Sequence, residues 1–147
     1  MPPVDSGQTV VLDASVAVRW VVDEIGSQEA AALLERDLTW IAPRLMLTEI
    51  AAALRRKAVE GVLDPSSASQ SLDGVIQAVA DGVVRLADDE DIVRHAFLLA
   101  MSLDHKVPDC IYLALAEREG AAIATADTRL ARLAKGRGVP VMAIPHG

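Results

Sequence analysis

The sequence is poor in aromatic residues, cysteine and long apolar runs, and each shortage narrows the possible class of protein. Aromatic residues make up 3% of the 147 positions, so a core must come from the aliphatic part of the 52% hydrophobic content. The one cysteine, Cys110, cannot form an internal disulfide, which agrees with a reducing compartment. No apolar run approaches the roughly 20 residues of a membrane span, and the N-terminal MPPVDSGQ lacks the features of a signal peptide. We therefore expect a cytoplasmic protein with no membrane association.

Positive charge is also scarce. The chain has 14 Lys and Arg against 21 Asp and Glu, which gives a formal net charge of −7. This weighs against a protein held on nucleic acid by bulk positive charge. Two bound divalent cations would change the net charge to −7 + 4 = −3 and would make their site attractive to phosphate. A metal-dependent enzyme acting on nucleic acid therefore stays open.

Short apolar runs alternate with amphipathic segments along the chain. TVVLD at 9–13 is a continuous apolar run, typical of a strand buried on both faces. Further strands are predicted at 38–43, 83–87, 121–125 and 139–144. Helices fill the intervals, and Ser15 is predicted to cap the first of them. The pattern predicts one α/β domain over 1–147, with a flexible tail at 1–8 and a mostly parallel sheet of four to five strands between two helical layers.

Two aspartates follow predicted strands at the point where a helix begins. Asp13 ends TVVLD, and Asp127 follows AAIAT. Both would lie at the carboxyl edge of a parallel sheet, where ligands of such folds bind. The simpler interpretation is a helix N-cap. Ser15 and Thr128 lie close enough to take that capping role, which would leave the two acids available for another task.

Two further acids lie on predicted helices close to apolar faces. Glu49 lies at the edge of the apolar stripe of LTEIAAALRR, beside small alanines that leave room for a ligand. The alternative is a solvent-margin glutamate paired with Arg56. Asp109 lies in the first turn of PDCIYLALAE and shares a face with Tyr112, which points it toward the core. The alternative is a first-turn acid stabilised by the helix dipole.

The four acids would lie close together in the fold, and something must stabilise them there. Converging carboxylates repel one another, and an inward acid requires a cation, a hydrogen-bond network or a raised pKa. Mg²⁺ prefers a few carboxylates together with water and phosphate oxygens. Such a site suits phosphodiester hydrolysis, because the cation activates water and stabilises the attacking and leaving oxygens.

The segments that carry these acids resemble the motifs of a known family. VVLDAS, LTEIAAALRR, VPDCIYLALAE and IATADTRL are similar, in order and spacing, to the four acidic motifs of PIN-domain ribonucleases, and most of all to VapC-type toxins of type II toxin–antitoxin systems. The resemblance runs from Thr9 to about Val141. It implies a PIN-like α/β/α sandwich and a metal-dependent endoribonuclease that hydrolyses RNA.

The resemblance also implies roles for individual residues. Asp13, Glu49, Asp109 and Asp127 would form a catalytic Mg²⁺ or Mn²⁺ site, with Asp13 and Asp109 as direct ligands. The hydroxyls of Ser15 and Thr125 would orient carboxylates or waters. The family further implies a homodimer and a cognate antitoxin that blocks the site.

Two other functions are compatible with an aspartate after the first strand. A phosphoaspartyl receiver or phosphatase is one, although this chain lacks the second acid that each type needs near Asp13. A catalytically silent binding module on the same fold is the other. A dinucleotide-binding domain is disfavoured, because no glycine-rich loop follows VVLD.

Basic residues close to the acidic motifs are possible phosphate contacts or simply solvated helix ends. They fall in two groups, Arg129, Arg132, Lys135 and Arg137 in one and Arg55, Arg56 and Lys57 in the other. Among the histidines, His105 is the one near an acidic motif.

Overall fold

Residues 7–146 are the part of the chain that the structure, a computed structural model, describes, and they form five strands and seven helices. The strands are β1 (Gln8–Leu12), β2 (Leu38–Ala42), β3 (Val84–Leu86), β4 (Ala122–Thr125) and β5 (Val141–Ala143). The helices are α1 (Ala14–Val21), α2 (Ser27–Leu34), α3 (Leu45–Val59), α4 (Pro65–Ala80), α5 (Glu90–Leu103), α6 (Val107–Glu119) and α7 (Thr128–Gly136).

The five strands form one parallel sheet in the order β3-β2-β1-β4-β5. The predicted α/β class and strand number are confirmed. The strand order reverses between β1 and β4, where Leu12 lies opposite Ala124. That reversal creates a crevice at the carboxyl ends of these two strands.

Helices cover both faces of the sheet, which confirms the predicted α/β/α sandwich. Helices α1 to α4 pack together on one face, and α5, α6 and α7 pack on the other. Val10, Val11 and Leu12 of β1 are fully buried between these layers. The continuous apolar run in TVVLD follows from this position, because a central parallel strand has no solvated face.

Two details at the chain ends and helix ends differ from the predictions. Ser15 is not the N-cap of α1; Asp13 holds that position, without a capping bond from its side chain. Of the tail predicted at 1–8, residues 1–6 lie outside the described part, and Gln8 already belongs to β1.

Within residues 7–146, no helix combines the length and apolar character that crossing a bilayer requires.

The last described residues fold back onto the turn between α1 and α2. Ile144 N donates to Thr125 O at 3.0 Å, which extends the pairing of β4 and β5. Arg19 Nη2 then donates to the carbonyl oxygen of His146 at 3.2 Å. Gly26 has φ +93°, and a Cβ atom at this position would lie 2.2 Å from the carbonyl oxygen of Pro145. A side chain is therefore excluded where the C-terminal segment docks.

We expect Gly26→Ala to destabilise the protein more than Gly61→Ala does. Gly61 also has positive φ, at +78°, but a Cβ there meets nothing within 4 Å. Both variants incur the about 1–2 kcal/mol cost of left-handed backbone in alanine. Only Gly26→Ala adds a steric cost, of about 1–3 kcal/mol, for displacing Pro145. Urea unfolding of the two variants measures the difference, and equal losses would contradict the docking of the C-terminal segment.

Candidate active site

Asp13 is a buried carboxylate at the crevice between β1 and β4. Its residue is 7% exposed because it directly follows the central strand. Ser15 Oγ donates to Asp13 Oδ2 at 2.5 Å, and Thr125 Oγ1 donates to the same oxygen at 2.7 Å. The two residues that the resemblance assigns to orienting carboxylates therefore both contact Asp13.

Asp127 also lies at this crevice, at the N-terminus of α7. Its Oδ1 accepts from the backbone N–H of Arg129 at 2.8 Å and of Leu130 at 3.4 Å. The expectation that Thr128 relieves Asp127 of capping is therefore wrong. A cap needs an acceptor one residue before the helix, and Asp127 holds that position. The capping bonds use Oδ1 and fix the orientation of the whole carboxylate.

Glu49 enters the same region from α3. Tyr112 OH donates to Glu49 Oε1 at 2.5 Å, and Tyr112 itself is 1% exposed. The predicted alternative of a Glu49–Arg56 ion pair is wrong, because Arg56 makes no ion pair within residues 7–146; Tyr112 in α6 is the side chain that contacts Glu49. Sequence reasoning missed this contact, although Tyr112 follows Asp109 by three residues and so shares its helical face.

Asp109 reaches the site from the first turn of α6, and its side chain is 14% exposed. His105 Nε2 lies 2.8 Å from Asp109 Oδ2. This contact orients one oxygen of the carboxylate from the outer side. It also explains why a histidine stands four residues before the third acidic motif.

All four predicted acids line one cavity of about 560 Å³. One follows β1, one lies in α3, one in α6 and one between β4 and α7, so only the folded chain brings them together. Among residues 7–146, no three His, Cys, Asp or Glu side chains stand close enough to form a preassembled metal site. The four carboxylates therefore share a space without forming a closed set of ligands.

The electrostatics of this cavity favour a proton or a cation. Burial raises the pKa of the Asp13 carboxyl; the bonds from Ser15 and Thr125 counteract that effect, and the charges of Asp127 and Asp109 add to it. Burial likewise raises the pKa of Glu49, and the other acids repel its charge. An all-oxygen donor set under mutual repulsion fits a hard divalent cation such as Mg²⁺ or Mn²⁺.

The same cavity is also lined by three cations, Arg19, Arg56 and Lys57, and by a fifth acid, Glu24. Arg19 and Lys57 both pair with Glu24, Arg19 at 3.4 Å. The backbone carbonyl of Ser15 also accepts from Arg19 Nη1, at 2.6 Å. Arg56 and Lys57 belong to the basic run 55–57 that the sequence indicated. No local pattern indicated that Glu24 would contact Lys57.

The second predicted basic group is dispersed by the fold. Arg129 lines a smaller neighbouring cavity of about 340 Å³ together with Asp127. Arg137 instead pairs with Glu117 at 3.0 Å, while Arg132 and Lys135 face solvent. The cluster therefore does not form a single phosphate-binding surface.

Comparison with known protein families gives a match to the PIN domain over residues 10–136. The chain belongs to the PIN domain family. The matched segment contains all four acids of the cavity, from Asp13 to Asp127. A comparison with curated protein sequences gives no match.

Several solved structures share this fold. PAE2754 from Pyrobaculum aerophilum has a TM-score of 0.68 and 22% identity, over 91% of this chain and 89% of that one. The VapC20 toxin of Mycobacterium tuberculosis, described as cleaving the sarcin–ricin loop, has a TM-score of 0.67 and 15% identity over 84% and 94%. A toxin–antitoxin complex from Klebsiella pneumoniae gives 0.61 and 16% over 82% and 88%. At identities this low, the likeness concerns the fold.

We expect Asp13→Asn to make the metal-free protein at least as stable as the wild type at neutral pH. The folded pKa of Asp13 lies above its ordinary value of 3.8, so its contribution to stability is present below pH 3.8 and is lost as pH rises through the folded pKa. Asparagine removes the buried charge and keeps an oxygen that accepts from Ser15 and Thr125. Urea unfolding in chelator between about pH 5 and pH 8 measures the effect.

Asp64→Asn is the matched control for this measurement. Hydrogen bonds from Ser67 lower the pKa of Asp64, so its contribution has the opposite sign and is lost as pH falls. We expect no gain in stability from this variant at neutral pH. A wild type that is more stable than Asp13→Asn by the same margin at every pH would contradict the assigned buried charge.

Proposed function

We propose that this PIN protein is a metal-dependent endoribonuclease toxin that is neutralised by a cognate antitoxin. The observation that carries the proposal is the shared cavity of Asp13, Glu49, Asp109 and Asp127 at the crevice between β1 and β4. Membership of the PIN family supports the reaction class. Neither alternative, a phosphoaspartyl protein or a silent binding module, has a specific observation in its favour.

In this proposal the four carboxylates hold Mg²⁺ or Mn²⁺. The cation, when bound, supplies Lewis acidity toward water and phosphate oxygens. The other residues of the site orient the carboxylates. Ser15 and Thr125 fix Asp13, the N-terminus of α7 fixes Asp127, and Tyr112 fixes Glu49. Hydrogen bonds therefore hold each of these three carboxylates, which limits their rearrangement when substrate enters.

The choice of RNA and of an antitoxin partner draws on relatives. VapC20 is described as a toxin that cleaves the sarcin–ricin loop, and the Klebsiella pneumoniae structure is a toxin–antitoxin complex. We extend both properties to this chain, in the cytoplasm, where RNA and antitoxin would be available. We also include a homodimer. The exposed α5 residues Val93, Phe97 and Met101 recur at four-residue spacing and form an apolar stripe that self-association would cover.

The proposal predicts RNA cleavage that requires both the cation and the acids. We expect purified protein to cut RNA with Mg²⁺ or Mn²⁺, to lose activity in chelator and to regain it when metal is restored. Asp109→Asn should lower the rate at least about 100-fold, because the groups that merely support a metal ligand are already worth 10–100-fold. Sequencing the RNA ends after brief expression identifies the cleavage sites.

Asp91→Asn is the matched control for the acid variant. It makes the same chemical change on an exposed residue of α5, outside the cavity. Its activity should equal that of the wild type. Cleavage that persists in chelator, or that Asp109→Asn leaves intact, would reject the proposed mechanism.

The contact between Tyr112 and Glu49 gives a separate prediction about cation affinity. Tyr112→Phe retains the buried ring and removes the hydroxyl that orients Glu49. We expect Mn²⁺ affinity, measured by isothermal titration calorimetry, to fall by about 10-fold or more. The free energy of unfolding without metal should fall by about 1 kcal/mol, the contribution of one hydrogen bond. Unchanged Mn²⁺ affinity would remove Glu49 from the proposed site.

A further inference from the structure

One face of α3 runs along the cavity from an acidic end to a basic end. Glu49, Ala52, Ala53, Arg56 and Lys57 all line the cavity, and their spacing of three and four residues places them on a single helical face. Arg56 lies seven residues after Glu49, or about 10 Å along the helix axis at 1.5 Å per residue. Ala52 and Ala53 lie between them, so this stretch of the helical face carries no bulky side chain.

The cations that line this cavity differ in whether they have an ion-pair partner. Lys57 pairs with Glu24, and so does Arg19. The Arg19 side chain is 9% exposed and also donates to the carbonyl oxygens of Ser15 and Ile25. Glu24 therefore holds both side chains against the wall of the cavity, and most donors of the Arg19 guanidinium are already used.

Arg56 is different, although it lines the same cavity. Within residues 7–146 its guanidinium makes no ion pair and no side-chain hydrogen bond, and the residue is exposed. Glu49 lies about 10 Å away along α3, and its Oε1 accepts from Tyr112 instead. Arg56 is thus a long cation at the basic end of the cavity with no acidic partner among the described residues.

We propose that Arg56 binds a backbone phosphate of the RNA strand beside the phosphate that is cut, with the strand lying over Ala52 and Ala53. This inference rests on the proposed ribonuclease function. A guanidinium matches phosphate oxygens with two parallel N–H bonds, so it holds both the position and the direction of the strand. The alanines allow the sugar–phosphate backbone to approach the helix closely. A contact of this kind is independent of base identity.

The first test compares Arg56→Gln with Arg55→Gln. Both variants remove one positive charge from adjacent positions of α3, but Arg55 is exposed and does not line the cavity. Binding of a short fluorescent single-stranded RNA is measured by anisotropy over a range of salt concentrations. Both variants are made in the Asp109→Asn protein, which is the parent for these comparisons and keeps the RNA intact.

We expect Arg56→Gln to weaken RNA binding by about 10-fold and to reduce the slope of log affinity against log salt by about 0.7, the value of one phosphate contact on a single strand. Arg55→Gln should leave both quantities near the parent values. Equal effects of the two variants would overturn the subsite, because general charge would then account for the loss.

Neutral linkages in the RNA locate the contacted phosphate. A single methylphosphonate is moved along the strand, and the position at which it weakens binding to the parent protein is recorded. At that position the penalty should disappear in Arg56→Gln, because the contact has already been lost. Additive penalties at every position would overturn the assignment.

Ala52→Leu tests whether the RNA strand lies over the alanines of α3. Ala52 is exposed on α3, and leucine is a good helix former, so the fold should tolerate the change. We expect weaker RNA binding with an unchanged salt slope, because the variant adds bulk and removes no charge. RNA affinity equal to that of the parent would show that the strand does not cross this face.

The subsite and the proposed function fail in different ways. If the wild type cuts RNA while Arg56→Gln and Arg55→Gln bind it equally, the subsite is wrong and the nuclease stands. If Arg56→Gln selectively loses RNA while the wild type cuts nothing, the subsite stands and the catalytic function is wrong. If the parent protein binds no RNA, both are wrong.

Discussion

The buried charge of Asp13 is the constraint on which the rest of the site depends. Asp13 directly follows the central strand and is only 7% exposed, so its ionised form requires compensation. Ser15 supplies one hydrogen bond from α1, and Thr125 supplies another from the end of β4. The pairing of β1 with β4 must therefore be correct to the residue, because a slip of one position would turn Thr125 to the opposite face of the sheet.

The helices around the crevice carry complementary parts of the same arrangement. Helix α6 brings Asp109 and, one turn later, the tyrosine that holds Glu49. Helix α3 carries Glu49 at one end of its cavity face and uncompensated positive charge at the other. Arg19 and Lys57 share Glu24 as their ion-pair partner, so the cavity has an acidic end and a basic end instead of a uniform charge. That polarity would orient a phosphate chain before any chemistry begins.

The fold was largely predictable from the sequence because its signals are local. Continuous apolar runs predicted the buried parallel strands. The four acids could be selected because each interrupts a local pattern. Their partners could not be predicted in the same way. The contact between Tyr112 and Glu49 joins residues 63 positions apart, and that between Lys57 and Glu24 joins residues 33 apart. The first contact depends on how α3 and α6 meet at the crevice, and the second on how α3 lies against the turn between α1 and α2. No local pattern records either arrangement.

The sheet ends on both sides in very short strands, since β3 and β5 have three residues each. Each edge offers few unpaired backbone groups, whereas a long, flat edge acts as a template for strands of other molecules. Growth of the sheet from one molecule to the next is therefore disfavoured, even in a chain with so much aliphatic character. Contacts between copies, where they form, would therefore use the helical layers, where side-chain shape selects the partner.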